Sequence, residues 1–283
     1  MNGRYYFFLF LIFVSSWLFA NDILVLTGNL SQGGLVFGTV NSDVEKIFWN
    51  YQEIPLDKNR FIVGFDRDEK QLQVLTIVLK DGKIMERKFF LQKRKYDIQK
   101  IERVPKKYVE KPTDKNLMRR ISNEKKSLSA VRSLINSTKQ IFADSFLIPV
   151  KNGKITGVFG SQRILNGIPQ KPHNGLDIAA PEGTEVLAAA AGKVVLTGDY
   201  FYNGKFVLID HGGGLNSIYI HLKEIDVEIG QFVRQGDKIG EVGSSGRSTG
   251  PHLHWGVNWK GKRIDPELLL KKNFITEIAS DSE

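Results

Sequence analysis

The chain contains no cysteine among its 283 residues. It therefore has neither a disulfide framework nor a thiolate zinc site, and we expect no lipid anchor on a cysteine. Any bound metal ion must be held by histidine, aspartate or glutamate. Histidine is also scarce, because there are only five, and all of them lie between residues 173 and 254. This concentration marks the C-terminal half of the chain as the region that carries chemistry.

Long hydrophobic runs are missing except at the N-terminus. Residues 5–19, YYFFLFLIFVSSWLF, follow a short basic start and precede Ala20. An apolar middle of about 15 residues is typical of a secretory signal, whereas a membrane-spanning helix needs about 20. We predict a cleaved signal peptide over residues 1–20, with an uncleaved anchor helix as the alternative. After cleavage, no stable membrane anchor is expected.

Export without disulfides indicates the bacterial periplasm, with a secreted or cell-wall-associated location as the alternative. The net charge of +9 is concentrated between Lys80 and Lys126, where 17 Lys/Arg face 7 Asp/Glu. This basic segment indicates either a solvated surface or attraction to an anionic polymer or membrane surface. It carries no nucleic-acid-binding motif, so we expect no nucleic acid as a partner.

The pattern of apolar residues predicts a mainly β fold. Residues 21–100 contain short runs rich in β-branched and aromatic residues, separated by Gly, Asn and Asp. Such runs indicate a small N-terminal β-sandwich-like domain. Residues 149–270 are glycine-rich and again alternate in polarity, which predicts a C-terminal domain built on an antiparallel β-sheet. Residues 271–283 are expected to form a C-terminal tail.

Residues 101–148 differ from both flanking regions and are interpreted as a basic linker and a connecting α-helix. Apolar residues recur there at helical spacing from Leu117 to Phe142. Thr113 or Asp114 can cap the start of this helix. We expect the helix to pack on a neighbouring domain, where it could lie over a groove and restrict access to it.

The motif HLHWGV at residues 252–257 reads as a strand. Side chains alternate between the faces of a strand, so His252 and His254 point to the same side, about 7 Å apart at the backbone. His221 comes at the end of another predicted strand, in SIYIHL at residues 217–222. With a third group described next, three His-bearing motifs lie in one short region, and together they indicate metal ligands more strongly than any single histidine does.

His173 and Asp177 form the third group, HNGLD. In a flat strand their Cα atoms would be about 13 Å apart, so sharing one metal requires a bend, which Gly175 can supply. Zinc held by two histidines and one carboxylate keeps a position open for water and polarises a carbonyl. Remaining histidines can transfer protons. The H-E-x-x-H motif is absent, so histidine must take the role of the base.

These motifs resemble those of the lysostaphin-type (LytM-like) zinc metalloendopeptidases, which cut peptide cross-links in bacterial cell walls. The resemblance covers about residues 150–268 and rests on H-x-x-x-D at 173–177, Y-x-H-L at 219–222 and H-x-H at 252–254. The flanking stretches FGSQR at 159–163 and GSSGRSTGPHLHWGV at 243–257 agree with it. Residues 21–148 are similar to the non-catalytic N-terminal regions of exported members.

The resemblance implies roles for individual residues. His173, Asp177 and His254 would hold one Zn²⁺ per chain. His221 and His252 would be the catalytic residues, which orient and deprotonate the zinc-bound water and stabilise the oxyanion. His211 is interpreted as structural.

The implied activity is hydrolysis of peptide cross-links in peptidoglycan, with a D,D-endopeptidase favoured over a glycyl-glycine endopeptidase. The implied partners are peptidoglycan and protein regulators of the envelope. The alternative is a non-catalytic regulator that binds and activates other wall hydrolases. Because no expected ligand is substituted, the enzyme is the favoured interpretation.

Overall fold

The computed structural model describes residues 23–102, 114–137, 140–143, 145–270 and, by backbone alone, 277–278. The predicted signal peptide, part of the predicted linker and nearly all of the predicted tail lie outside these residues. Of the helices within the described residues, none is long and apolar enough to cross a membrane.

The described residues before residue 150 form eight strands and one helix. They are β1 (Leu24–Gly28), β2 (Leu35–Val40), β3 (Val44–Trp49), β4 (Gln52–Ile54), β5 (Arg60–Gly64), β6 (Leu72–Leu79), β7 (Ile84–Phe90), β8 (Ile98–Ile101) and α1 (Lys115–Ile135).

The described residues after residue 150 add thirteen strands and a short helix. They are β9 (Lys154–Gly157), β10 (Gln162–Leu165), β11 (Ile168–Pro169), β12 (Leu176–Ala179), β13 (Glu185–Leu187), β14 (Gly192–Tyr200), β15 (Gly204–Gly212), β16 (Leu215–Ile225), β17 (Phe232–Val233), β18 (Lys238–Val242), β19 (His252–Trp259), β20 (Lys262–Ile264), α2 (Pro266–Leu270) and β21 (Glu277–Ile278).

Two four-stranded antiparallel sheets form the N-terminal region. One has the order β21-β1-β2-β5 and the other the order β4-β3-β6-β7. Trp49 stacks on Phe89 within the second sheet, with ring centroids 5.6 Å apart, and contacts Phe65 next to the first sheet at 5.7 Å. These contacts fill the space between the two sheets. The predicted sandwich-like fold is therefore confirmed.

A large antiparallel sheet with the order β17-β14-β15-β16-β19-β12-β9 forms the C-terminal region, as predicted. One face of this sheet is the core, where Tyr219, Leu253 and Trp255 have no exposed surface. Such a face is what alternating apolar residues produce when every second side chain turns inward. The opposite face is the one that carries the functional side chains.

Helix α1 begins as the sequence predicts but ends earlier. Asp114 caps it, since its side chain accepts a hydrogen bond of 2.7 Å from the Leu117 amide. The apolar stripe reached Phe142, whereas the helix ends at Ile135. The Phe142 amide instead donates to the His211 carbonyl at 2.9 Å. Pairing with the end of a strand holds this segment in a conformation that a helix cannot share.

Helix α1 packs on the open face of the large sheet. Leu128, Val131 and Ile135 cover Phe206 and Ile218. Polar contacts fix the middle of the helix, where Glu124 accepts from the Phe201 amide and Ser127 accepts from the Tyr200 hydroxyl at the end of β14. The helix therefore lies on the neighbouring domain, as expected.

The N- and C-terminal regions are joined by more than the helix. Strand β8 pairs in parallel with β10, although the predicted boundary placed most of β8 in the N-terminal domain. Arg94 also forms an ion pair of 2.8 Å with Asp265, whose side chain is only 3% exposed. Burial raises the pKa of Asp265, and the Arg94 charge opposes this shift. The ion pair therefore compensates a buried carboxylate at the junction of the two regions.

We predict that Arg94→Ala lowers the free energy of unfolding by about 2 kcal/mol, because it leaves the Asp265 carboxylate buried and unpaired. The measurement is urea denaturation at neutral pH. Lys88→Ala is the matched control, since Lys88 is 63% exposed and its contact with Glu86 is 4.0 Å. It should cost less than about 0.5 kcal/mol. Equal losses of unfolding free energy in the two variants would contradict the role of Arg94 in compensating the buried Asp265 carboxylate.

Candidate metal centre

Strand register places the site on one row across the open face of the large sheet. Asp177 of β12 lies directly opposite His254 of β19. Gly157 of β9 flanks Asp177 on one side, and Ile220 of β16 flanks His254 on the other. Directly opposed residues of antiparallel strands point their side chains to the same face. The register therefore brings the carboxylate and the imidazole together.

Three predicted ligands converge at this row. The Asp177 Oδ1 atom is 3.0 Å from His173 Nε2 and 2.7 Å from His254 Nδ1. The two ring nitrogens are 2.9 Å apart. The three side chains are 16–25% exposed, so the centre is open to solvent on one side.

His173 is positioned by backbone contacts rather than by a strand of its own. Its amide donates to the Ser161 carbonyl, and its carbonyl accepts from the Gly160 amide, both at 2.8 Å. Its Nδ1 lies 3.0 Å from the Val158 carbonyl oxygen. A carbonyl can only accept, so Nδ1 carries a proton, and Nε2 is the ring nitrogen that faces Asp177 and His254.

Two glycines leave room for the ligands. A Cβ at Gly157 would overlap the Asp177 carboxylate, and one at Gly175 would overlap the Trp255 carbonyl and lie 2.7 Å from His254 Nε2. The bend that the sequence predicted at Gly175 is present, directly before β12, with a backbone outside the left-handed region. A glycine is required there because His254 and the Trp255 carbonyl approach closely.

The charges of the three groups are coupled. Burial raises the pKa of Asp177, but hydrogen bonds from His173 and His254 outweigh it and lower the pKa overall. Burial lowers the pKa of His173, yet the hydrogen bond and charge of Asp177 raise it overall. For His254, burial prevails over Asp177 and lowers the pKa. The site therefore pairs a carboxylate anion with imidazoles that compete for one proton.

This geometry fits a zinc ion. Zinc–nitrogen and zinc–oxygen bonds of about 2.0–2.1 Å in a tetrahedron place ligand atoms about 3.3 Å apart. The three ligand atoms lie within 4.8 Å of one another, and the edges of the triangle are 2.7–3.0 Å. The contact of His173 Nδ1 with the Val158 carbonyl directs Nε2 to the same point as the carboxylate. Two histidines and one carboxylate are also the donor set of catalytic zinc sites.

His221 reaches the site because of a bulge in β16. Between Lys205 and Val207 the pairing of β15 with β16 shifts register, and His221 has φ +67°. Strict alternation would turn this ring toward the core, away from Ile220. The bulge re-aims it, so its centroid lies 6.4 Å from that of His254. Its amide is held by the Asn203 carbonyl at 2.9 Å.

His221 and His252 form a second pair beside the three ligands. Their ring centroids are 4.8 Å apart. His252 Nε2 is 4.0 Å from Asp177 Oδ1, beyond hydrogen-bond reach. The structure thus separates the five predicted residues into a tight group of three and an adjacent pair.

Backbone carbonyls orient this pair, and no side-chain motif in the sequence indicates these contacts directly. His221 Nδ1 lies 2.8 Å from the Ser245 carbonyl, and His252 Nδ1 lies 2.8 Å from the Gly250 carbonyl. Both contacts place the proton on Nδ1 and leave Nε2 free to accept one. Every residue has a carbonyl group, so these contacts leave no residue-specific signal. The only indication in the sequence was the serine- and glycine-rich stretch SSGRSTG at 244–250. Burial lowers the pKa of His221 to about 4, so this ring is neutral at pH 7.

His211, the fifth histidine, lies in the core and outside the site. Its ring nitrogens contact the Ala191 carbonyl and the Ser217 hydroxyl, both at 2.7 Å. Ser217 in turn donates to the Tyr219 hydroxyl at 3.1 Å, which accepts from the Ala189 amide at 2.8 Å. Burial lowers the pKa of His211 to about 4. Its position supports the structural role that the sequence suggested.

Comparisons with known proteins agree with this site. The model of peptidase family M23 matches residues 171–266. The peptidoglycan DD-endopeptidase ShyA of Vibrio cholerae is 44% identical over 94 residues, which is 33% of this chain and 22% of ShyA. An uncharacterised metalloprotease of Buchnera aphidicola is 39% identical over 137 residues, 46% of this chain and 36% of that protein. The chain thus spans about a fifth to a third of these curated relatives.

A solved structure covers much more of the chain. A Pseudomonas aeruginosa protein assigned to peptidase M23 aligns with a TM-score of 0.61 and 30% identity. The alignment covers 85% of this chain and 94% of that one. The likeness therefore extends beyond the sheet that carries the histidines.

We predict that substitutions of the two histidines of HLHWGV have different effects, one on zinc binding and the other on the rate of hydrolysis. His254→Ala removes one of three metal ligands and should lower zinc affinity more than about 100-fold. His252→Ala should keep stoichiometric zinc and lower the hydrolytic rate by about 10²–10⁴-fold. Zinc content after dialysis, measured by mass spectrometry, decides the first point. Equal loss of zinc in both variants would show that the division into a metal ligand, His254, and a catalytic residue, His252, is wrong.

We predict a pH-dependent contribution from His211. Its pKa is about 4 in the folded chain and 6.5 when unfolded, so the stability it contributes is present above pH 6.5 and lost as the pH falls toward 4. Between pH 7.5 and 5, wild type should therefore lose about 2 kcal/mol more than His211→Gln. Urea denaturation with a chelator present measures this without a contribution from zinc. Parallel pH profiles would exclude a buried neutral imidazole.

Proposed function

Since this chain belongs to peptidase family M23, we propose that it is a zinc-dependent endopeptidase that hydrolyses peptide cross-links of bacterial peptidoglycan. The observation that carries the proposal is the convergence of His173, Asp177 and His254 beside a second pair of histidines on an open sheet face. The name of the Vibrio cholerae relative supports a D,D-endopeptidase over a glycyl-glycine endopeptidase.

The group of three would hold Zn²⁺ through His173 Nε2, Asp177 Oδ1 and His254 Nδ1. When bound, the ion supplies Lewis-acid polarisation of the scissile carbonyl and lowers the pKa of a coordinated water toward about 7. The Asp177 carboxylate offsets part of the positive charge. Gly157 and Gly175 keep the carboxylate and the imidazole at close range.

His221 is suited to accept a proton. Its Nδ1–H donates to the Ser245 carbonyl, so the lone pair of Nε2 is the one available to a water molecule at the centre. Burial keeps the ring neutral at pH 7, which is the form that a base requires. The left-handed backbone at this residue holds the ring in place.

His252 shares this orientation, because its Nδ1–H donates to the Gly250 carbonyl. A ring that has accepted a proton at Nε2 becomes a donor at the same atom. It can then stabilise the negative charge that develops on the carbonyl oxygen or pass the proton to the leaving amine. The pair thus supplies proton acceptance and proton donation from neighbouring positions.

The location and partners belong to the same proposal. Cross-linked peptidoglycan lies outside the cytoplasmic membrane, so the proposal requires export, in agreement with the predicted signal segment. The described part of the basic segment includes five exposed cationic residues on α1: Lys115, Arg119, Arg120, Lys125 and Lys126. Such a surface is attracted to anionic wall polymers with a strength that falls as salt rises. Envelope proteins that regulate the activity are a further part of the proposal.

The test is digestion of purified sacculi by the zinc-loaded protein, followed by mass spectrometry of the muropeptides. Cross-linked dimers should decrease and monomers should increase, and the masses identify the bond. A chelator should abolish the change, and added zinc should restore it. His211→Gln serves as a control that leaves the centre intact. If zinc-loaded protein releases nothing from sacculi, the endopeptidase assignment fails and a non-catalytic regulator takes its place.

A further inference from the structure

The metal ligand His173 lies in the loop before β12, whereas Asp177 and His254 lie in strands. Backbone contacts with residues 158–161 hold it in place, at distances of 2.8–3.0 Å. A ligand in a loop must be ordered in advance, or its ordering costs part of the free energy of binding the ion. The position of His173 therefore depends on what fixes residues 158–162, which we call the support segment.

The N-terminal region binds the support segment directly. The Arg67 Nε atom donates to the Gly160 carbonyl at 2.9 Å, and the Gln162 amide donates to the Asp97 carbonyl at 2.9 Å. Gly160 is held through both of its peptide groups, since its own amide donates to the His173 carbonyl at 2.8 Å. A single residue therefore connects Arg67 of the N-terminal region to the metal ligand.

Tyr96 packs against both sides of this connection. The guanidinium carbon of Arg67 lies 4.4 Å from the centroid of the Tyr96 ring, and the Tyr96 hydroxyl donates to the Arg67 carbonyl at 3.2 Å. The same ring contacts Phe159 of the support segment, with centroids 6.2 Å apart in a T-shaped arrangement. Gly160 has φ +80°, and a Cβ there would overlap the Tyr96 ring. The ring thus holds the arginine and the support segment together, and a glycine is required at their point of contact.

The Arg67 side chain is held by contacts in several directions. It is 13% exposed, and its Nη1 atom binds the two Asp68 carboxylate oxygens at 2.8 and 2.9 Å. The positive charge also attracts the face of the Tyr96 ring. Because these contacts already order the side chain, the bond to the Gly160 carbonyl costs little further conformational entropy. Hydrogen bonds from a charged donor are also stronger than those between neutral groups. Arg67 is therefore suited to hold a backbone group at a fixed position.

We propose that Arg67 is a positioning residue for the metal ligand His173, which it holds through Gly160, so that the N-terminal region completes the metal centre. Groups that orient a ligand from outside the coordination sphere commonly change metal affinity by about 10–100-fold. Arg67 acts through one intervening residue, so we expect an effect at the lower end of this range. This role rests on the proposed function only through the zinc site, and it makes zinc affinity dependent on the N-terminal region.

The test compares two substitutions of Arg67 that differ in one donor group. The side-chain nitrogen of glutamine is as many bonds from Cα as the Nε atom of arginine, so Arg67→Gln keeps an N–H for the Gly160 carbonyl. Arg67→Met places a methyl group at the same point. Both variants lose the charge and its contacts with Tyr96 and Asp68. Competition of the full chain with a fluorescent chelator should show zinc affinity about tenfold weaker in Arg67→Met and within about twofold of wild type in Arg67→Gln.

Arg60→Met is the matched control. Arg60 also belongs to the N-terminal region and donates to a backbone carbonyl, that of Ile141 at 3.0 Å, which lies outside the support segment. This control should keep zinc affinity within about twofold of wild type. Tyr96→Leu is a second test variant, because it removes the ring that contacts Arg67 and Gly160. It should weaken zinc binding in the same direction as Arg67→Met.

The stability gained on adding zinc provides a second readout, which also serves for a variant that is less stable without the ion. This gain depends on the dissociation constant, so a tenfold weaker affinity removes about 1.4 kcal/mol of it. Melting temperatures measured with a chelator and with excess zinc should therefore differ less in Arg67→Met than in wild type or Arg67→Gln.

The positioning role is overturned if Arg67→Met binds zinc as tightly as wild type, or if Arg67→Gln or Arg60→Met loses as much affinity as Arg67→Met. None of these results depends on hydrolysis, so the endopeptidase assignment would then still be decided by digestion of sacculi. Conversely, weaker zinc binding in Arg67→Met alone, with no muropeptides released by wild type, would support the positioning role and remove only the endopeptidase assignment.

Discussion

The cross-strand pair of Asp177 and His254 is the constraint on which the site depends. Their opposition in the register of β12 and β19 is fixed by the core on the other face, where Ile178 and Leu253 are fully buried. A shift of one residue would send the carboxylate into that core and expose the apolar side chains. The hydrophobic pattern therefore fixes the ligand geometry, and His173 completes it from a loop held by backbone hydrogen bonds.

The same face of the sheet also explains the position of α1. The helix covers apolar residues of β15 and β16 that would otherwise lie exposed beside the metal centre. It does not cover the ligands, which keep 16–25% of their surface exposed. The helix therefore packs beside the metal centre and leaves its ligands accessible.

Much of this architecture could be predicted from the sequence. Alternating apolar residues located β16 and β19, and Asp114 located the start of α1. The end of α1 could not be predicted from its stripe, because the Phe142 amide pairs with a strand distant in sequence. The pairing of β8 with β10 was missed for the same reason, since partners more than 60 residues apart leave no local pattern.

The sequence by itself determined which residue types are available for chemistry, because a chain without cysteine and with five clustered histidines has few ways to bind a metal. Only the tertiary structure decided which histidines do what. His252 and His254 are equivalent by alternation, yet register gives Asp177 to His254 alone. His221 would face the core but for a bulge in β16. Register and bulges arise from pairing between distant strands, so local sequence cannot specify them.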